Sequence, residues 1–523
     1  MAPDLDRDRL AASVRATLDR LVRPGEPALA VGVYRDGTLA LAEAAGCAVV
    51  EHDVPATAWT VFDIASVSKQ MTSACLLMLA RDGLVNLDSD VRDLLPELSF
   101  GRPVTLRQCM THTGGLRDCY SMCELAGNDL HGIREDRLVR LISRYRDLDF
   151  APGAEFSYSN TGYVLLAAVV RRTTGAGLAA YAKERLFGPL GMAVSHMRDD
   201  VAALVPHLAA GYVATGRGFD RCDVTEEVVG DGAVVTSVAD YAGWHRFMMT
   251  GDVLGTDIRD ALLDRATLSG GDRIGYALGL EVAALPGGPP AWWHSGSWAG
   301  YRSAVIHSPA AGISVAVLAN RNDHSPSQLA AAVALAAMTG REVASCLDDV
   351  YGHPVPPGDA DRTRPALLGR WHEPDQDVFL DVRPGDDGGI EVHEGGTPYR
   401  YRLGTDGMWH GVAEAGGSTY RLDGTTLTAA HRVSGDVSGR YRPAGEGEAG
   451  PLPVGRYTSA ELDADAVLAA GGPPTVTIGA ADPVALEPAG PGVWCGGGVT
   501  VRAEGAGLLV STPGARRVRF TRA

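Results

Sequence analysis

The sequence predicts an α+β chain whose last third is two small antiparallel β-barrels. Three observations carry that prediction. Helical and strand periodicities alternate through the first two thirds of the chain. Beyond about residue 366 short alternating strands with Gly/Asp turns take over, as in Val378-Phe379-Leu380-Asp381-Val382 followed by Pro384-Gly385-Asp386-Asp387-Gly388. Two segments in this part open alike, Gly369-Arg370-Trp371 and Gly455-Arg456-Tyr457, which reads as a duplicated barrel. The expected domains are 1–345, 366–445 and 453–523. Gly/Pro-rich linkers at Pro354–Pro365 and Ala444–Pro453 separate them.

Taken in order, residues 5–22 show an amphipathic helix, with Leu5, Leu10, Val14, Leu18 and Leu21–Val22 on one side. Residues 28–34 and 38–42 read as a hairpin turning at Asp36-Gly37. Next comes Phe62-Asp63-Ile64-Ala65-Ser66-Val67-Ser68-Lys69-Gln70-Met71-Thr72, opening a helix that carries Cys75, Leu76, Met78 and Leu79 and stops at Arg81-Asp82-Gly83. Residues 104–116 read as a helix ending at Gly114-Gly115. A polar turn, Pro152–Tyr163, precedes an apolar helix over Val164–Val170. A strand–turn–strand follows at Trp292–Ser303, continuing into Ala304–His307 and Ile313–Leu318.

Composition narrows the function. A chain of 523 residues, 45% hydrophobic and 21% charged, describes a globular protein of several domains. A net charge of −17 without any Lys/Arg run argues against nucleic-acid partners. The eight cysteines are scattered and complete no zinc pattern, so they read as reduced thiols. No apolar run is long enough to span a membrane. The acidic start, Asp4-Leu5-Asp6-Arg7-Asp8, has no apolar signal core, so the cytoplasm is the expected compartment.

Three short patterns carry chemistry. In S-x-x-K, Ser66 and Lys69 lie three apart, so at a helix start they share a face. A serine hydroxyl becomes a nucleophile when a neighbouring base takes its proton. A lysine does that when burial or nearby positive charge lowers its pKa. Of 47 Lys and Arg residues only Lys69 and Lys183 are lysines. Arginine cannot act as a base, so a lysine at 69 points to a titratable amine. In Y-x-N, Tyr158 offers a phenol able to shuttle a proton, and Asn160 an amide able to bond substrate or steady its neighbours. In H-x-G, His294 offers a positive or hydrogen-bonding edge. Gly296 lets a substrate approach the backbone, and the Ser297 N–H is a candidate oxyanion donor. Each pattern alone also describes an ordinary capped helix, polar turn or structural histidine.

Together and in this order, the three patterns resemble the serine β-lactamase/DD-peptidase superfamily, in its penicillin-recognising, class C-like branch. H-x-G stands where many relatives carry K-T-G. Leu84-Val85-Asn86-Leu87-Asp88, Thr111-His112-Thr113-Gly114-Gly115-Leu116, Phe187-Gly188-Pro189-Leu190-Gly191-Met192 and Thr236-Ser237-Val238-Ala239-Asp240 are similar to segments of that branch. The paired barrels, Ser66-Val67-Ser68-Lys69-Gln70, Gly115-Leu116-Arg117-Asp118 and the run Gly455–Asp465 resemble its D-aminopeptidases. The resemblance implies an antiparallel sheet flanked by helices as the catalytic domain, then the two barrels.

It further implies a serine hydrolase that releases small, D-Ala-like N-terminal residues from peptides, amides or esters through an acyl-enzyme. Ser66 would be the nucleophile, Lys69 its proton acceptor and Tyr158 the proton relay. Asn160, His294 and Gly296 would line the cleft, and the N–H groups of Ser66 and Ser297 would form the oxyanion hole. No metal or cofactor is implied. β-Lactams are candidate ligands or inhibitors, and a homodimer is a candidate assembly. The alternatives are an esterase, a D-amino-acid amidase, a DD-carboxypeptidase/β-lactamase-like hydrolase, or an inert relative that binds peptides. One departure stands out. The family's last barrel sends a loop to the cleft that helps read the substrate's free amine. The corresponding place here is Trp494–Val499, which has no carboxylate before Glu504. Asp118, Glu124 and Asp231 are the candidate replacements for the ammonium.

Overall fold

The helix Arg7–Leu21 shows how local sequence sets local structure. Asp6 caps it, accepting from the Arg9 N–H at 3.1 Å, and Arg20 sits in its last turn. Leu10, Val14 and Leu18 recur every four residues and are buried against the strand Thr38–Ala45. Each such side chain contributes about 2 kcal/mol on burial. The computed structural model describes every residue except 1–4, 286–287, 352–363, 386–387, 395–396, 406, 412–417, 432–436 and 445–448. The first linker therefore falls largely outside the described residues, as does part of the second.

The chain forms two compact units. The first gathers 1–95, 104–111 and 162–351, and the second 96–103, 112–161 and 352–523. The first is built on a six-stranded antiparallel sheet. Its order is Glu281–Ala284, Pro290–Trp298, Tyr301–Ser308, Ile313–Ala319, Leu29–Arg35, Thr38–Ala45. The central strands Leu29–Arg35 and Ile313–Ala319 are buried almost throughout, which requires cover on both faces. The helix Pro326–Thr339 packs on Ile313–Ala319 and Tyr301–Ser308. Helix Ala242–Thr250 and the turn Ala65–Ser68 also pack on this sheet. His245 and Tyr241 reach from that region to Ser314 and His307 on the sheet.

The second unit holds the barrels. Eight strands, from Gly369–Glu373 to Val437–Pro443, close into one barrel around Trp371, Leu380, Val392, Trp409 and Tyr441. Nine strands between Gly455–Ser459 and Ala515–Arg522 make a second, nearly closed one. The repeated opening is a repeated structure. Trp371 and Tyr457 point into their cores. Arg370 and Arg456 pair with Asp381 and Asp465 on the following strands.

Two local expectations are corrected. Ser66 does not open an α-helix directly, because Ala65–Ser68 form a 3₁₀ turn and the α-helix runs from Lys69 to Arg81. The helix expected over 104–116 is only Leu106–Met110. Thr105 and Gln108 cap its start reciprocally, but His112 adopts a left-handed φ of 56°, which ends it well before Gly114.

Candidate active site

The first unit carries Ser66, Lys69, His294, Gly296 and Ser297. The strand Phe62–Asp63 delivers the chain to Ala65, whose φ is 46°, an unusual value for a residue with a Cβ. Two bonds hold this turn. Asp63 Oδ1 accepts the Ala65 N–H at 2.7 Å, and Ser303 Oγ donates to Ile64 O at 2.7 Å. Burial pushes the Asp63 carboxyl up to about 6. The result presents Ser66 half-buried above a fully buried Lys69.

Lys69 Nζ lies 3.0 Å from Ser66 Oγ and 2.7 Å from the carbonyl oxygen of Asp231. It also lies 5.4 Å from the centre of the Tyr163 ring. An amine that donates to Asp231 O keeps a lone pair for the Ser66 hydroxyl. Tyr163, on the helix Asn160–Thr174, is anchored by Met110 O at 2.7 Å and Ser73 Oγ at 3.2 Å. Burial raises its phenol well above the usual range.

The strand Pro290–Trp298 runs beside this turn. A Cβ on Gly296 would lie 2.2 Å from Ile64 O and 2.3 Å from Ser303 Oγ, so only glycine fits. Trp298 and Tyr301 flank the two-residue turn Ala299-Gly300 and form its terminal hydrogen-bonded pair. Antiparallel alternation then points the Ser297 N–H away from the neighbouring strand. On that outer side the short strand Glu281–Ala284 pairs only as far as Trp293. Ser297 therefore presents an exposed backbone edge. His294 is buried, with Nε2 3.1 Å from Tyr276 OH and Nδ1 2.6 Å from Ser295 O.

Tyr158 and Asn160 belong to the second unit. His112 cradles their turn. Its carbonyl accepts the Ser157 N–H at 3.0 Å, its Nδ1 the Ser159 N–H at 3.1 Å, and its ring lies 4.1 Å from that of Tyr158. Asp118 fixes Asn160: Oδ2 accepts both the backbone N–H at 2.7 Å and Nδ2 at 3.0 Å. Oδ1 meanwhile caps the helix Cys119–Leu125 through Tyr120 and Ser121. Asp118, a candidate for the ammonium, thus has both oxygens committed to Asn160 and the helix. Glu124 is on the same helix, its carboxyl raised by burial and by Asp118.

The segment Trp494–Val499 forms a strand and a tight turn whose Gly497 lies against Val484. The turns lying against the 118–127 region are others. Gly514 O accepts the Asp118 N–H at 2.7 Å, and Ala480 and Ala481 crowd Gly127. Sequence reasoning missed Tyr276, the anchoring roles of Tyr163 and Asp118, and His112. The last two sit in segments singled out for their similarity to the family, and that was the available signal. Among the described residues no cluster of His, Cys, Asp and Glu is placed to hold a metal, and no helix is long and apolar enough to cross a membrane. None of the eight cysteines is in a disulfide.

Comparison with known proteins supplies the family and the fold. A D-aminopeptidase of Cereibacter sphaeroides is 29% identical over 94% of this chain and 91% of its own. One of Brucella melitensis is 28% identical over the same shares. Among solved structures, the octameric penicillin-binding protein homologue from Pyrococcus abyssi superposes with a TM-score of 0.59 at 21% identity, covering 84% of this chain and all of that one. The D-amino acid amidase of Ochrobactrum anthropi SV3 does so at 0.53 and 20% identity, covering 65% and 98%. The family profile described as Beta-lactamase matches residues 14–338. With S-x-x-K, Y-x-N and H-x-G all inside that span, the chain belongs to the Beta-lactamase family and is a serine hydrolase.

Proposed function

We propose that this serine hydrolase releases small N-terminal D-amino acids from peptides, amides or esters through an acyl-enzyme. The observation that carries the reading is Lys69 Nζ at 3.0 Å from Ser66 Oγ, buried and held by a neutral carbonyl. The D-aminopeptidase relatives, similar over nearly the whole chain including the barrels, support the substrate class.

In the proposed mechanism Ser66 Oγ attacks the scissile carbonyl while Lys69 takes its proton. The N–H groups of Ser66 and Ser297 hold the oxyanion. Tyr158 passes a proton to the leaving amine and later activates water, which releases the acid and frees Ser66. Asn160 and His294 line the cleft, and Gly296 lets the strand lie against the nucleophile turn.

Hydrolysis of D-Ala-p-nitroanilide tests this, set against its L-enantiomer and its N-acetylated form, with Ser66→Ala as control. Cleavage of the free-amine D-substrate alone, lost in the variant, is the expected result. Equal cleavage of the acetylated form or of simple esters would sink it in favour of a general esterase or DD-peptidase.

A further inference from the structure

A cleft of about 520 Å³ opens within the second unit, walled by residues 101–102, residues 146–151, Asp375 and the strand Ala515–Arg522. Arg516 lines it although that residue is only 7% exposed. Its Nη1 donates to Glu155 Oε2 at 3.0 Å and its backbone N–H to Asp149 Oδ1 at 2.9 Å. Its guanidinium lies 5.3 Å from the centre of the Phe150 ring. Among the described residues no acceptor meets its Nε or Nη2. Those two N–H groups form the side of a guanidinium that takes two oxygens at once. Elsewhere in the chain that side is filled. Nε and Nη2 of Arg107, Arg321 and Arg370 grip both oxygens of Asp88, Asp323 and Asp381. In Arg516 neither nitrogen is sealed in the interior, so both are reached through the cleft.

The rest of the lining carries both signs of charge. Arg102 and Arg146 sit side by side, because the Gly101 N–H donates to Arg146 O at 2.8 Å. Both are exposed, and neither meets a carboxylate among the described residues. The other lining arginines are spent, Arg117 on Asp149 and Glu461, Arg519 on Glu504, and Arg517 on Pro374 O. The lining carboxylates of Asp147 and Asp375 meet no cation among the described residues. A polyanion would be repelled by these two aspartates. A molecule with one carboxylate and one ammonium satisfies both signs. We propose that this cleft is a second binding site, for the zwitterion of a short peptide. Its C-terminal carboxylate sits on Nε and Nη2 of Arg516 with Arg102 and Arg146 beside it, and Asp147 and Asp375 accept its ammonium. The volume suits such a ligand, since small-molecule pockets run from about 300 to 1,000 Å³. Short peptides are also what the proposed reaction consumes. The choice of a D-configured probe rests on that reading, and the site itself does not.

Calorimetric titration of the full Ser66→Ala chain with D-alanyl-D-alanine tests this, because that variant holds the dipeptide without turning it over. Two binding events are expected, one at the catalytic cleft and one here. D-Alanyl-D-alaninamide, which lacks the carboxylate, is expected to show only the first. Adding Arg516→Gln weakens the carboxylate-dependent event by about tenfold or more. Arg102→Gln with Arg146→Gln weakens it by about threefold and makes it less sensitive to salt. These two side chains are exposed, so that pair keeps the test open if Arg516→Gln destabilises the fold. Equal binding of dipeptide and amide, or a carboxylate-dependent event that neither change weakens, overturns the proposal. Tighter binding of inorganic phosphate, lost in the same variants, overturns the peptide assignment in favour of a phosphate-bearing ligand. If the catalytic reading alone is wrong, the amide does not bind and the dipeptide still binds through Arg516. If this proposal alone is wrong, the unaltered protein cleaves the D-substrate and the titration shows one event that Arg516→Gln leaves in place.

Discussion

Lys69 in the first unit and Arg117 in the second are both buried basic side chains, and their surroundings differ in kind. Lys69 is held by a carbonyl oxygen, a hydroxyl and the face of a phenol ring. Such partners tolerate an amine as well as an ammonium. Arg117, 3% exposed, is held by the carboxylates of Asp149 and Glu461 and by Arg516 O. Those partners suit a permanent charge with donors fixed in a plane. One surrounding leaves a proton movable. The other uses charge to tie the 112–161 segment to the last barrel. A buried basic side chain therefore signals chemistry or architecture according to what surrounds it.

Exchanging the chemistry of the two sites is the strongest way to break that contrast. Lys69→Arg is expected to lose about 10³-fold or more in kcat/KM, because a guanidinium cannot accept the Ser66 proton. Its thermal midpoint should fall far less than its activity, and retained turnover would refute Lys69 as the base. Arg117→Met is expected to do the opposite. It leaves Asp149 and Glu461 buried without their cation, at a cost of about 3 kcal/mol in a urea titration. A loss below about 1 kcal/mol would show that the cluster contributes no net stability.

Gly296→Ala sharpens the comparison from the side of the turn. The added Cβ would meet the backbone at Ile64 O, so Ala65 and Ser66 must shift. A loss of about 10²-fold in kcat/KM is expected, since a small misplacement of the nucleophile is enough for that. The smallest effect concerns Asp149. Burial outweighs Arg117 and pushes its carboxyl up to about 6. A raised carboxyl stabilises the folded state at low pH, and that contribution is lost as pH rises from about 4 through about 6. Stability should fall across this window by at most about 1.4 kcal/mol per pH unit. Asp149→Asn should remove this part of the slope, and an unchanged slope would count against it.

Much of this was legible in the chain itself. Lysine usage marked Lys69, because arginine replaces lysine everywhere except at 69 and 183. The spacing of Leu10, Val14 and Leu18 marked a buried helix face. The glycine of H-x-G was read as a place for a substrate to approach the backbone, and the groups that lie against it are Ile64 O and Ser303 Oγ. The helix expected over 104–116 failed because hydrophobic periodicity does not register a left-handed residue such as His112. The loop expected at Trp494–Val499 is a different kind of reading. Which turn of a barrel meets another segment depends on how the barrel closes, and composition does not record that.

The sequence by itself determined the reaction class, the order of its motifs and the alternating strands of both barrels. These depend on residue type and short spacing. Only the tertiary structure decided what surrounds each charge. Asp118 binds Asn160 rather than standing free, Asp231 offers Lys69 its backbone carbonyl, and Tyr276 meets His294. Those partners lie 18 to 162 residues apart in the chain. A hydrogen bond depends on a few tenths of an ångström in space, and separation along the sequence carries no such information.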